Sequence, residues 1–266
     1  MNGALGRMGQ RILTLAHQSS GEFAIGGAYE VQGHPALGQD AGTALGLGKT
    51  LGVKVTNLLQ TDLSNVDAII DFSGSDGTQY SVNAAVHHKK PLVIGSTGLD
   101  LELAKKIHAA AEKTPIVLSS NMSIGVNVLL EIVALAAVKL GKDFDIEITE
   151  AHHRHKKDAP SGTALMLADS IARAKKWDLK KVMKFREAGK VDEERSHEEI
   201  GMQVIRAGEI VGDHTALFGG PAETIEITHR AHSRDAFARG ALTAAAFLAR
   251  QGKPGRVYTM RDVLGL

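Results

Sequence analysis

The 266-residue chain carries one run dense in proton-transfer groups, Glu150-Ala151-His152-His153-Arg154-His155-Lys156-Lys157, at the end of an alternating segment with Phe144, Ile146 and Ile148. An imidazole titrates near neutrality and can take or give a proton there, and a lysine beside it can grip an anion. The run leads into Asp158-Ala159-Pro160-Ser161-Gly162-Thr163-Ala164. Pro160 and Ser161 are residue types that open a helix. The first turn of such a helix can receive a carboxylate on its backbone N–H groups and on the Ser161 or Thr163 hydroxyl. Lys156 would add a charge-assisted contact. Three other readings stand beside this one: a solvated basic turn, a Ser161 that only caps its helix, and a metal site. Strand alternation argues against the metal, because it sends His152 away from His153 and His155. No cysteine is present to help, and Glu147 or Glu150 would have to complete the ligand set.

A second candidate lies at the amino end. Gly3, Gly6 and Gly9, in Asn2-Gly3-Ala4-Leu5-Gly6-Arg7-Met8-Gly9, precede a periodic segment with Ile12, Leu13, Leu15 and Ala16. Glycines at a helix start let the backbone approach a pyrophosphate, whose charge is favoured by free N–H groups and the positive end of the helix dipole. A tight turn without a ligand would use the same glycines. Arg7 could pair with a phosphate through its planar fork. Glu30 stands about 20 residues beyond Gly9, after the apolar residues 23–29, where a carboxylate accepts hydrogen bonds from an adenosine ribose and repels a 2′-phosphate. Val31 supplies no compensating cation. The expected cofactor is therefore NADH, with NADPH possible if Arg7 or a lysine takes the phosphate. Two further turns, Gly95-Ser96-Thr97-Gly98 and Ser119-Ser120-Asn121-Met122, follow apolar runs, where open α/β sheets bind ligands beyond strand carboxyl ends.

Apolar periodicity predicts the elements that must position these groups. Strands are expected at residues 66–72, 91–95 and 116–118, helices at 78–88 and 101–111, and loop at 31–50. That alternation defines an α/β fold: a Rossmann-like parallel sheet with right-handed crossovers. After Asn121 the pattern changes to a helix at 126–140, a strand at 144–150, a helix from Pro160 and strands at 202–206, 214–218 and 223–229. These predict a second, α+β domain with an open mixed sheet, followed by a helix at 236–250. The expected division is residues 1–122 for dinucleotide binding, 123–234 for substrate binding and oligomerisation, and 235–266 as a helix and tail returning to the first domain. Residues 175–199 are polar and read as an exposed excursion or subunit-contact loop. One feature conflicts with the scheme. The fold ordinarily places a central strand ahead of its glycine turn, yet only Met1 and Asn2 precede Gly3, so neighbouring strands are expected to lose backbone partners.

Bulk composition narrows the partners. Hydrophobic residues make up 43% and charged residues 23%, which suits a globular chain and argues against long disorder. A net charge of +1 gives no electrostatic reason to expect nucleic acid. The absence of cysteine fits a reducing compartment. No apolar stretch approaches the roughly 20 residues needed to span a bilayer, and the polar first residues do not look like a signal peptide. A soluble protein of the cytoplasm, without membrane or nucleic-acid partners, is expected.

Together these motifs resemble the 4-hydroxy-tetrahydrodipicolinate reductase family, traditionally dihydrodipicolinate reductase, of bacterial and plant lysine and diaminopimelate synthesis. The resemblance is carried by the run from Glu150 to Ala164, by Gly3 to Gly9, Asp71-Phe72-Ser73, Gly95-Ser96-Thr97-Gly98, Asn121-Met122-Ser123 with Gly125-Val126-Asn127, Arg206-Ala207-Gly208 through His214, and the tail Tyr258 to Leu264. It therefore covers essentially the whole chain. It implies hydride transfer from NAD(P)H to C4 of a dehydrated, ring-conjugated substrate, giving tetrahydrodipicolinate. It implies His152 as the acid/base residue and Lys156 as proton donor and substrate contact. His153, Ser161, Gly162 and Thr163 fall at the substrate, a small-molecule dicarboxylate. Gly3, Ala4, Leu5, Gly6, Arg7, Met8, Glu30, Gly95, Ser96, Thr97, Ser119, Ser120, Asn121 and Met122 fall at the cofactor, and no metal is implied. Family members are commonly homotetramers built through the second-domain sheet. Val31 departs from an arginine that the family often has after the ribose carboxylate, and this bears on NADPH use.

Overall fold

Short apolar runs separated by helices become a parallel sheet in the first of two units, which comprises residues 1–124 and 234–266. The computed structural model describes residues 1–57, 62–186 and 194–266. In chain order the unit begins with α1 (Arg7–Gln18), β1 (Ala28–Tyr29), α2 (Ala41–Ala44), β2 (Val55–Thr56), β3 (Ile69–Asp71), α3 (Ser75–His88), β4 (Leu92–Ile94), α4 (Leu101–Ala111) and β5 (Ile116–Leu118). β3, β4 and β5 pair in parallel, as do β1 and β2. Every residue of β3 and β4 is buried, as befits strands covered on both faces by crossover helices. α4 illustrates the local logic. Asp100 caps it by accepting from Leu103 N at 2.7 Å, and Leu103, Ile107, Ala110 and Ala111 recur on its buried face.

Met1 and Asn2 occupy the place of the expected first strand. Asn2 bridges Tyr29 on one side and Asp71 on the other, both in parallel. Asn2 N donates to Ile70 O (2.8 Å), Phe72 N to Asn2 O (3.2 Å) and Tyr29 N to Met1 O (2.8 Å). Of the apolar residues 23–29 only the two of β1 form a strand, because a ladder runs only as far as its neighbours do. A cavity of about 330 Å³ lined by Met1, Ile25, Gly27, Val66 and Ile69 lies alongside. Residues 31–50 are also more ordered than a loop. Asp40 accepts from Gly42 N (2.8 Å), which starts α2, and from Leu51 N (2.9 Å) and Gly52 N (2.8 Å), which closes the segment on itself.

The second unit spans residues 125–233. It contains most of α5 (Ile124–Leu140), then β6 (Asp145–His152), α6 (Gly162–Lys175), α7 (Leu179–Val182), β7 (Met183–Phe185), β8 (Ile200–Arg206), β9 (Asp213–Gly219) and β10 (Thr224–Arg230). The sheet order is β10-β9-β6-β8-β7, with β6 central, parallel to β8 and antiparallel to β9. This is the open mixed sheet that the sequence predicts. β6 alternates strictly, burying Ile146, Ile148, Glu150 and His152. α6 packs Leu167, Ala168 and Ile171 with Ile146, Ile148 and Phe218 in one core, where a fully buried Leu or Ile contributes roughly 1.5–3 kcal/mol. Within the polar stretch 175–199, α7 and the edge strand β7 replace the expected excursion in part, and residues 187–193 lie outside the described residues.

The chain then re-enters the first unit as α8 (Asp235–Gln251), β11 (Val257–Tyr258) and α9 (Met260–Leu264). β11 extends the sheet by pairing in parallel with β5, and Asp235 anchors the start of α8 to Arg11 of α1 at 2.6 Å. Among the described residues, no helix is long and apolar enough to cross a membrane.

Candidate active site

The strand β6 runs two residues further than the sequence predicts, so His152 is its last residue and not the start of a loop. Pairing with β8 sustains the extension, since Ala151 and His152 lie opposite Ile205 and Arg206. Period-two alternation puts Glu150 and His152 on the same buried face. Glu150 is fully buried, and its oxygens take four polar contacts. Oε1 accepts from Arg206 Nη2 (2.8 Å) and Ser161 N (2.9 Å), while Oε2 accepts from Arg206 Nη1 (2.8 Å) and stands 2.6 Å from His152 Nδ1. Burial alone would raise the Glu150 carboxyl. The Arg206 fork, His152 and the Ser161 N–H outweigh it and hold the carboxyl below its usual range. Burial pushes His152 down, against the pull of Glu150, and the charges of Lys156 and Arg206 add to that push.

The turn after His152 is clamped by the β8–β9 connection. Ala207 N donates to His152 O (2.9 Å), His153 N to Ile210 O (2.7 Å) and Arg154 N to Gly208 O (3.1 Å). Lys156 is largely shielded and pairs with Asp158 at 2.8 Å, so a substrate carboxylate there would share or displace Asp158. The Nδ1 atom of His153 is buried with no hydrogen-bond partner among the described residues. Ser161 caps α6 by accepting from Ala164 N (3.2 Å), and its Oγ lies 3.0 Å from His214 Nε2. Both its backbone N–H and its hydroxyl are thus engaged within the protein. Gly162 and Thr163 form the first turn of α6, which contains no acidic residue. His155 lies at the surface within 3.9 Å of Glu209. Among the described residues, no group of three or more His, Asp or Glu side chains is placed to hold a metal ion.

The amino-end residues gather in the first unit. Gly3 has φ +74°, and a Cβ there would sit 2.8 Å from Phe72 O; a Cβ on Gly9 would sit 2.0 Å from Gly3 O. Both glycines are therefore required by the packing of the turn itself. Gly6 starts α1 with no side-chain cap and no acidic residue in the first turn, which leaves helix-end N–H groups for an anion. Arg7 is exposed beside it. Glu30 faces the same turn, accepting from Leu5 N at 2.7 Å, and Val31 after it is 68% exposed. A cavity of about 400 Å³ is lined by Arg7, Met8, Gly95, Ser96, Thr97, Ser120, Asn121 and Met122, eight of the predicted cofactor residues. Ser119, Gly3, Ala4, Leu5, Gly6 and Glu30 are not part of that lining. An uncapped helix start, a nearby carboxylate and this cavity fit a dinucleotide.

Sequence reasoning missed two groups here. Glu150, Arg206 and His214 carry the network behind His152; all three fall in motifs that carry the resemblance, but what joins them is register, which sets Arg206 of β8 opposite His152 and His214 of β9 opposite Glu150. Asp71 is fully buried at the end of β3 and collects hydrogen bonds from Asn2, Ser73, Thr78, Ser81 and Ser96. It ties the loop after β3 to the loop after β4, both of which reach the cavity.

A parallel α/β unit with a dinucleotide-type helix start, coupled in one chain to proton-transfer groups on a mixed sheet, defines a two-domain NAD(P)H-dependent oxidoreductase. Residues 1–122 match the family described as dihydrodipicolinate reductase, N-terminus, and residues 125–264 match dihydrodipicolinate reductase, C-terminus. The chain belongs to the dihydrodipicolinate reductase family. It is 45% identical over 265 residues to the 4-hydroxy-tetrahydrodipicolinate reductase of Syntrophus aciditrophicus, covering 100% of this chain and 97% of that one. It is 46% identical over 264 residues to the enzyme of the same name from Geotalea uraniireducens, covering 99% and 97%. A solved structure with a similar fold is the dipicolinate-bound dihydrodipicolinate reductase from Paenisporosarcina sp. TG-14, with a TM-score of 0.73 at 22% identity over 98% of this chain and 96% of that one.

Proposed function

We propose that His152 and Lys156 carry the proton chemistry of this chain, with the first unit binding the dinucleotide and the second binding the substrate. The reaction is the NAD(P)H-dependent reduction of 4-hydroxy-tetrahydrodipicolinate, by way of its dehydrated form, to tetrahydrodipicolinate in lysine and diaminopimelate synthesis. The observation that carries the residue assignment is the end of β6. There a buried imidazole is backed by an ionised carboxylate, and the charge of Lys156 is close enough to bias its protonation.

Loss of water from the substrate needs a base for a ring C–H and an acid for the departing hydroxyl, and the reduction afterwards needs a proton on the ring carbon next to C4. Burial lowers the pKa of His152 and so favours its neutral form. That form can take the ring proton and return it. Lys156 donates the proton with which the hydroxyl leaves as water. Bound NAD(P)H supplies the hydride that reaches C4. His153, Lys156 and the N–H groups of Gly162 and Thr163 hold the substrate carboxylates by charge and helix-end hydrogen bonds. Ser161 acts beside them as the cap that fixes this helix start.

Gly3 to Met8, Glu30, Gly95 to Thr97 and Ser119 to Met122 hold the dinucleotide. Glu30 favours a free ribose 2′-hydroxyl, and Val31 offers no cation to a 2′-phosphate, so NADH is the preferred donor. The protein works in the cytoplasm as a homotetramer assembled through the second-unit sheet, whose face away from α6 exposes Ile205. Consumption of NADH with substrate freshly generated from pyruvate and aspartate semialdehyde tests the activity, and the same assay with NADPH tests the preference. A large NADPH advantage would remove the role given to Glu30 and Val31.

A further inference from the structure

We propose that Glu150 is the positioning residue of His152, fixing the imidazole as the tautomer protonated at Nδ1 so that Nε2 is the atom presented to substrate, with Arg206 holding Glu150 in that role. The inference rests on the reading of His152 as the acid/base group. An ionised carboxylate only accepts hydrogen bonds. The 2.6 Å contact between Glu150 Oε2 and His152 Nδ1 therefore requires the proton on Nδ1. In a neutral imidazole, Nε2 then carries the lone pair and can accept the ring proton directly. Once it has done so, the imidazolium faces the carboxylate at charge-assisted distance, which favours the protonated intermediate without making the proton hard to return.

The carboxylate cannot turn away. Arg206 grips both oxygens, and Ser161 N fixes Oε1. Arg206 is itself held, donating from Nη1 to Ile205 O (2.8 Å) and from Nη2 to Asp158 O (2.6 Å). The sheet register sets this geometry, because Arg206 is the cross-strand partner of His152 on β8 and His214 is the partner of Glu150 on β9. His214 does not compete for the carboxylate. Its ring meets His152 edge-on at 5.1 Å, and its Nε2 is turned to Ser161 Oγ. Gly212 completes the arrangement on the far side. A Cβ there would lie 3.0 Å from His152 Nε2, so the glycine keeps that atom unobstructed.

The groups facing His152 are Glu150 from its own strand, Lys156 from the following turn, Arg206 from β8 and His214 from β9. Among them only Glu150 favours the charged imidazole. Removing its charge should therefore move the limb of the pH–rate profile set by His152 to lower pH.

The test reads the tautomer directly, by two-bond hydrogen–nitrogen correlation on the full-length protein labelled in histidine, with His152 assigned by its loss in His152→Gln. The wild type is expected to carry its proton on Nδ1 at a pH where His152 is neutral. Glu150→Gln should lose that single tautomer, shift the pH limb downward and lower kcat by roughly 10²-fold or more, as when an imidazole loses its orienting carboxylate. Affinity for NADH should stay within about twofold. Glu150→Asp keeps a charge for Arg206 while falling one methylene short of His152, so it should recover thermal stability without recovering kcat or the tautomer. It also decides the matter if Glu150→Gln fails to fold. A wild-type His152 protonated at Nε2, or a tautomer and pH limb unchanged in both variants, would overturn the proposal. A His152→Gln enzyme with kcat within about twofold of wild type would instead reject the acid/base reading on which it rests.

Discussion

Replacing Asp71 by Asn changes one oxygen to an amide nitrogen at a site that the structure has built entirely from donors. Asp71 Oδ2 receives Asn2 Nδ2 (2.9 Å), Ser73 Oγ (2.7 Å) and Ser81 Oγ (2.6 Å); Oδ1 receives Thr78 Oγ1 (2.7 Å) and Ser96 Oγ (2.6 Å). If the new amide takes the Oδ2 position, it confronts Asn2 Nδ2, which cannot reverse its role. If it takes the Oδ1 position, Ser96 Oγ, which already accepts from Gly74 N at 3.0 Å, must accept again. Hydrogen bonds to a charged acceptor exceed neutral ones by roughly 1 kcal/mol each, and a donor left facing a donor costs about 1–3 kcal/mol. Relief of the carboxylate's burial cost offsets part of this. The expected net loss is about 2–4 kcal/mol, confined to the first unit. Because Asp71 ties the loops after β3 and β4 together, NADH affinity should fall as well. Urea unfolding followed by circular dichroism, with NADH binding as the reporter of the first unit, measures both. Fluorescence of Trp177, the sole tryptophan, follows the second unit separately. A loss under about 0.5 kcal/mol with unchanged NADH affinity would refute the argument that this carboxylate organises the loops.

Two further outcomes follow from the geometry. Burial, helped by the charge of His152, pushes His214 down to about 3 from its usual 6.5, so the folded state disfavours its proton. The unfolded chain then binds more protons, and stability is fully present above pH 6.5 and is lost as pH falls toward 3. The loss amounts to roughly 3–5 kcal/mol, and the depressed Glu150 adds to it at the acid end. His214→Gln should flatten that slope in pH-dependent unfolding, and an unchanged slope would exclude His214 as its cause. Gly240→Ala should destabilise the protein by about 1–3 kcal/mol in thermal melts, although alanine is the better helix former by up to about 1 kcal/mol. The added Cβ would fall 1.7 Å from Met122 O, so a higher Tm would contradict that close approach of α8 to the Met122 loop.

Much of this architecture is legible in the sequence where local signals suffice. The helix at 101–111, the strands within 66–72 and 91–95, and the alternation along β6 each follow from residue type and period. The failures are of two physical kinds. β1 and β6 ended where sheet partners ended, which residue pattern alone does not reveal. Glu150 and Asp71 stand in motifs that the sequence singles out, but their roles do not show there, because what distinguishes them is burial among donors brought from elsewhere in the chain. Arg206 is 56 residues from Glu150, and Asn2 is 69 from Asp71. Ser161 shows the reverse. Its type fits both a ligand contact and a helix cap, and the fold engages it as the cap.

The most direct test of the central claim is kcat for His152→Gln with freshly generated 4-hydroxy-tetrahydrodipicolinate, measured beside NADH affinity in the same preparation. A fall of about 10²-fold or more with NADH affinity nearly unchanged is the predicted result. A kcat within about twofold of wild type would contradict the assignment of the proton chemistry to the end of β6.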